Sequence, residues 1–143
     1  MVRLFAGLSV LFSLFLGWII FSADTGQSNL FFELIRHVPY GDKWGHLLLF
    51  GTLTLLVTLG TNFKRVRLGG FSPYLGAIAV AVIVLIEECS QAYFPQRTFD
   101  LFDLLADAIG ILMFSWLSYL IEIKRQKIHT EQPLRQGVIA MPA

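Results

Sequence analysis

Four stretches of this chain lack Asp, Glu, Lys and Arg over a length close to that needed to cross a lipid bilayer: Leu4–Ala23, Trp44–Phe63, Leu68–Ile86 and, once Asp107 is set aside, Ala108–Ile121. About 20 residues of helix span a hydrocarbon core. Apolar residues make up 55% of the chain and charged residues 15%, where a water-soluble domain carries about 25% charge. Mean hydropathy is +0.66. These figures predict an all-α fold: an integral membrane bundle of four transmembrane helices over residues 1–122. Residues 123–143 follow as a tail.

The net charge of +1 says little, but its distribution says more. Lys64, Arg65 and Arg67 fill the link after the second span, Lys124, Arg125 and Lys127 follow the fourth, and Arg3 precedes the first. Basic residues flank the cytoplasmic ends of spans, so both termini are expected in the cytoplasm. Two loops then lie outside, Asp24–Lys43 and about Pro95–Asp103.

The first segment also has features of a cleaved secretory signal, with Arg3 before an apolar run and Ser22-Ala23 after it. The run Leu4–Phe21 has 18 residues, longer than the usual 7–15, and Phe21 spoils the cleavage pattern, so a retained anchor is preferred. Ile123–Ala143 mixes Lys, Arg, Gln, Pro and Thr without helical periodicity and is expected to be a partly disordered cytoplasmic tail. The single cysteine, Cys89, permits no intramolecular disulfide and reads as a packing residue. No phosphate-binding loop, zinc spacing or basic stripe with interleaved aromatics is present, so nucleic acid is not an expected partner.

The first outer loop contains Asn29–Arg36, apolar on one side and too short to span, which predicts an amphipathic segment lying in the interface. His37 to Gly41 then forms a turn that delivers Asp42 to the second span, with Tyr40 and Trp44 as interfacial anchors. Ser72-Pro73 suits a helix beginning just after it. Gly76, Ala77, Ala79 and Ala81 allow a neighbouring helix to approach closely.

Ionisable groups gather at one end of three spans. Asp42 and His46 share a helix face, with His46 about 6 Å deeper, while Lys43 is turned about 100° away. Glu88 and Gln91 share a face of the third span, with Glu87 turned about 100° and Ser90 below it. Asp100, Asp103 and Asp107 step along one stripe at the head of the fourth, beyond Arg97. Asp103 is placed to gain from a helix N-terminus, whereas Asp107 lies a full turn deeper. Six carboxylates thus face Lys43, Arg97 and His46, and a charge at bilayer depth costs about 2.5–3.5 kcal/mol. Neutralisation requires a raised carboxyl pKa or a bound cation, and a divalent cation at the acidic cluster is one candidate. No other cofactor is indicated. An alternative reading takes these groups as an interhelical hydrogen-bond network that holds the bundle, and His46 as one satisfied member of it.

Two blocks of this pattern resemble the VanZ-like family of bacterial membrane proteins. The first is Asp42-Lys43 followed by His46; the second is Glu88-x-x-Gln91, then Pro95-x-Arg97, Asp103 and Gly110. Asp107 departs from the family pattern, which commonly has asparagine there, and adds a negative charge. The resemblance implies the bacterial cytoplasmic (inner) membrane, a cell-envelope role and a link to tolerance of teicoplanin-like antibiotics.

Two functions follow as expectations. In the first, a lipid-linked envelope precursor or glycopeptide-related ligand is reached from the outer leaflet. Glu88, His46 and Asp103 are then the candidate catalytic residues, and Asp42, Lys43, Gln91, Arg97 and Asp107 the candidate binding residues. The missing piece for catalysis is an activated nucleophile, since Ser90 has no visible triad. In the second, the chain is a non-catalytic accessory subunit or scaffold of a larger inner-membrane complex, packed on a membrane protein partner or a second copy. An ion transporter is disfavoured because no ionisable groups mark the other half of a pathway.

Overall fold

Each long apolar run becomes a helix whose outward side chains stay apolar. Leu11, Leu14 and Phe21 on the first helix and Leu112, Met113 and Trp116 on the last are all more than half exposed. Such a surface is stable when hydrocarbon covers it. The structure is a computed structural model that describes residues 2–27, 30–95 and 97–139; side chains at Leu30, Phe31, Arg36 and residues 129–139 fall outside the described set. The order is α1 (Val2–Asp24), α2 (Leu30–Arg36), α3 (Gly41–Gly60), α4 (Leu75–Gln91) and α5 (Leu101–Ile139). The all-helical class is as expected, with no strand among the described residues.

Among the described residues, three helical segments are long and apolar enough to cross a membrane: Val2–Asp24, Gly41–Gly60 and Leu101–Ile128. The third expected run contributes a shorter helix, α4, of 17 residues, because its first seven residues, Leu68–Tyr74, belong to the link. That link is a backbone hairpin. Val66 N donates to Pro73 O, Leu75 N to Lys64 O, and Leu68 and Phe71 bond each other, with Gly69 at φ +61° making the turn. Pro73 ends the link one residue before the α4 cap, Tyr74. A helix of 17 residues is about 26 Å long, and α4 is not among the three, so a fourth crossing is not established.

The short segment in the first loop is helical, as α2; its expected start at Asn29 lies outside the described residues, as do residues 140–143 of the tail. The backbone of α5 continues as helix past the expected domain boundary at Glu122, to Ile139.

Helix α3 lies at the centre and packs against α1, α2, α4 and α5. Leu16 of α1, Phe50 and Leu53 of α3, and Val80 and Val84 of α4 form the core. The α3–α5 contact is set by small residues. A Cβ on Gly110 would collide with the main chain of Leu47, and one on Gly51 with the ring of Phe114. Gly76 likewise lets α4 meet Thr58 of α3 at the other end. The four long helices therefore alternate in direction, and the ends of α1, α3, α4 and α5 that carry Asp24, Asp42, Gln91 and Asp103 come together.

The opposite, basic end is closed by side chains. Arg65 Nη2 lies 2.6 Å from Glu122 Oε2, Tyr74 Oη donates to the same oxygen at 2.7 Å, and the Arg65 guanidinium lies 4.3 Å from the Tyr74 ring centre. Arg125 adds a hydrogen bond of 2.9 Å to Asn62 Oδ1. Burial, with the Glu122 carboxylate beside it, pushes the Tyr74 phenol up to about 12.

Two outcomes are expected. Gly110→Val forces α3 and α5 apart and costs about 1–3 kcal/mol or more, read as lost monodisperse yield in detergent, while Gly7→Ala is neutral because nothing lies within 4 Å of a Cβ there. The Tyr74 contribution is complete below the unfolded value of about 10 and is lost as pH rises toward 12. Phenolate absorbance of wild type minus Tyr74→Phe should show the late titration, and Glu122→Gln should bring it earlier without abolishing the part due to burial.

Candidate functional site

Glu87 and Glu88 occupy the last turn of α4, where the helix dipole is negative and a carboxylate is least favourable. Both are buried all the same, Glu88 to 1% exposure. Donors around them offset this. Gln91, one turn on, places its Nε2 3.1 Å from Glu87 Oε1 and 3.1 Å from Glu88 Oε2, so one amide serves both acids. Arg97 Nη2 donates to Glu87 Oε1 at 2.9 Å, and the backbone N–H of Asp100 donates to Glu88 Oε1 at 2.9 Å. The Glu88-x-x-Gln91 spacing thus produces a shared contact, since residues three and four apart lie on one helix face.

The acids of α3 and α5 sit at helix starts, where the dipole favours them. Asp100 Oδ1 accepts from Phe102 N at 2.8 Å, the arrangement of an N-cap. Lys43 joins the two helices. Its Nζ lies 2.8 Å from Asp42 Oδ2, 2.5 Å from Asp100 Oδ2 and 2.7 Å from Asp103 Oδ1. The ammonium holds the Asp100 carboxyl below the usual carboxylate range, assisted by Phe102 N. One turn deeper, the fully buried Asp107 pairs with His46 Nδ1 at 3.0 Å, and His46 Nε2 stands 4.0 Å from Asp103 Oδ2.

The structure therefore brings Asp42, Lys43, His46, Glu88, Gln91, Arg97, Asp103 and Asp107 to one end of the bundle. Lys43 does not point away to the surface as its 100° offset predicts; its long stem reaches across to α5, and its side chain is only 24% exposed. Asp24 is an addition that sequence reasoning passed over. It ends α1 and meets Arg97 Nη1 at 3.4 Å, and its signal was a carboxylate placed directly after the first apolar run.

A cavity of about 330 Å³ opens beside this network. Its apolar wall is Leu16, Ile19 and Ile20 of α1 with Leu49 and Phe50 of α3, and Phe32 and Ile35 of α2 cover it. Its polar lining is Asp42, His46, Glu87, Gln91, Arg97 and Asp103, with Thr98 beside Arg97. Lys43, Glu88 and Asp107 stand outside the lining and brace it.

Among the described residues, two groups bring their ligand atoms within 4.8 Å of one another, as a metal site requires: Asp42, Asp100 and Asp103, and His46, Glu88 and Asp107. The first set already encloses the Lys43 ammonium. In the second, Asp107 is engaged by His46, and Glu88 by Gln91 and Asp100 N. Ser90 Oγ donates to Glu87 O at 2.6 Å, within its own helix, and Ser90 is not part of the cavity lining.

The fold and site define a helical membrane protein with a buried, carboxylate-rich polar end beside an amphiphilic cavity. A family model described as VanZ/LLP1 matches residues 4–122, and this chain belongs to that VanZ-like family. Comparison with curated proteins and with solved structures returns no match.

Lys43→Met leaves three carboxylates without their shared cation and is expected to cost about 1–3 kcal/mol in detergent unfolding, between the values for exposed and for buried pairs because Asp42 and Asp100 are partly exposed. Adding Asp103→Asn to Lys43→Met should recover part of that loss. Equal stability of Lys43→Met and wild type would contradict the pairing.

Proposed function

We propose that this chain is a cell-envelope protein of the bacterial inner membrane that binds a lipid-linked or glycopeptide-related envelope ligand in its cavity. Helices α1, α3, α4 and α5 all cross, both termini are cytoplasmic, and the polar end faces outward. The basic residues at the opposite end, from Lys64 to Arg67 and from Lys124 to Lys127, support that orientation.

The observation that carries the reading is the two-sided lining of the cavity. Hydrocarbon fits against Leu16, Ile19, Ile20 and Leu49, while His46, Gln91, Arg97 and Asp103 offer hydrogen bonds and charge to a head group. A pocket of about 330 Å³ is at the small end of the ~300–1,000 Å³ typical of ligand sites. It accommodates a head group and the start of its chain, with the remainder in the outer leaflet.

Binding is the activity these residues support most directly. Lys43 and Glu88 are held by fixed partners outside the lining, and Ser90 is bonded to its own helix. Membership of the VanZ-like family, together with such a site, supports a link to teicoplanin-type resistance. It would act through sequestration or presentation of the ligand.

Expression of the chain should shift susceptibility to teicoplanin-type antibiotics, and His46→Ala, Arg97→Ala and Glu88→Gln should each remove most of that shift at unchanged abundance. Thr98→Cys in a Cys89→Ser background should react with an impermeant maleimide in intact cells, and Lys124→Cys only after permeabilisation. Full resistance in all three variants would overturn the ligand reading; loss that tracks abundance would favour the scaffold.

A further inference from the structure

The charges around the cavity do not balance. Seven carboxylates form one contact network: Asp24, Asp42, Glu87, Glu88, Asp100, Asp103 and Asp107. Its permanent cations are Lys43 and Arg97. Lys43 is divided among Asp42, Asp100 and Asp103, and Arg97 between Glu87 and Asp24. Even a protonated His46 leaves the network with more carboxylates than cations. In the lining itself, Asp42, Glu87 and Asp103 face Arg97 as the one permanent cation, and Arg97 is already committed twice.

A phosphate head would enter beside three acids and find Arg97 as the one permanent cation of the lining, already shared between Glu87 and Asp24. A primary ammonium would find carboxylates in excess of cations. It brings three N–H donors and no acceptor, the chemistry that carboxylate oxygens require. The apolar wall of α1 and α3 lies alongside those oxygens, so head and chain are accommodated together. Electrostatic complementarity of this kind sets which partner is chosen more than how tightly any partner binds.

We propose that the cavity is selective for an amphiphile whose head carries a primary ammonium, seated among Asp42, Glu87 and Asp103 with its hydrocarbon along Leu16, Ile19, Ile20 and Leu49. This rests on the reading of the cavity as a ligand site and specifies the ligand's charge. The bound ammonium completes the neutralisation that Lys43 and Arg97 begin. A low-dielectric site gives that pairing its strength, and the rim position of Asp42, whose side chain is 59% exposed, gives the head group a route in from the surface.

Gly45 offers one blocking variant: it lines the cavity on α3, and a Cβ there meets only Ile35 Cδ1 at an ordinary 3.6 Å, so the side chain of Gly45→Leu enters the space. Gly7→Ala, outside the lining and with nothing within 4 Å of its Cβ, provides the control. Ala23, on the α1 side of the lining, offers a second blocking variant, Ala23→Phe.

The test is equilibrium binding of radiolabelled dodecylammonium, dodecyl phosphate and dodecyl maltoside to the full chain in nanodiscs, with each variant's melting curve recorded to establish folding. The expected result is saturable binding of dodecylammonium with a Kd at least about tenfold below that of dodecyl phosphate, retained by Gly7→Ala and lost in Gly45→Leu and Ala23→Phe. Saturable binding of the phosphate or the maltoside as tight as that of the ammonium, and lost in the blocking variants, overturns the charge selectivity while leaving the cavity as a ligand site. Binding of none of the three, or binding indifferent to both folded blocking variants, overturns the selectivity and the site together.

Discussion

The arrangement of the polar end depends on one ammonium group. Lys43 Nζ stands within ion-pair distance of Asp42 on its own helix and of Asp100 and Asp103 on α5. It fixes the start of α5 against the start of α3. Once those ends are fixed, Asp107 falls opposite His46 one turn down, and the Asp100 backbone N–H is delivered to Glu88. Glu88 in turn shares Gln91 with Glu87, which is held by Arg97, which reaches Asp24 of α1. Four helices are thus joined by a chain of contacts that begins at Lys43. In a low-dielectric setting each link matters, because removing one partner leaves a buried charge uncompensated.

The same constraint shapes the cavity. Helix α1 packs chiefly against α3, and the space beside Leu16, Ile19 and Ile20 is left between them below the Arg97–Asp24 pair. A bundle built only for stability would fill that space with side chains and would place acids at helix starts. Here Glu87 and Glu88 sit at the unfavourable end of α4 and are stabilised by donors from three directions.

Much of this was legible in the sequence. Apolar runs locate α1, α3 and α5, and the gathering of Asp42, His46, Glu88, Gln91, Arg97, Asp103 and Asp107 at one end follows from their places at helix ends. What resisted reading depends on side-chain reach and on backbone pairing between distant residues. Hydropathy alone does not separate Leu68–Tyr74 from α4, because the hairpin that claims those residues is closed by backbone hydrogen bonds, although Ser72-Pro73 marks the helix start just after it. Helical-wheel angles misplace Lys43, since a four-carbon stem overrides its 100° offset. The clasp of Arg65, Tyr74 and Glu122 joins residues up to 57 positions apart and left no local signal.

The most direct measurement is the nitrogen-to-carboxyl-carbon dipolar coupling between Lys43 Nζ and the side chains of Asp100 and Asp103, by solid-state NMR on isotope-labelled protein in lipid bilayers. The structure predicts strong dephasing to both carboxyl carbons, as contact distances require. Absence of dephasing to both, with Lys43 extended to the water interface, would contradict a polar end organised around that ammonium.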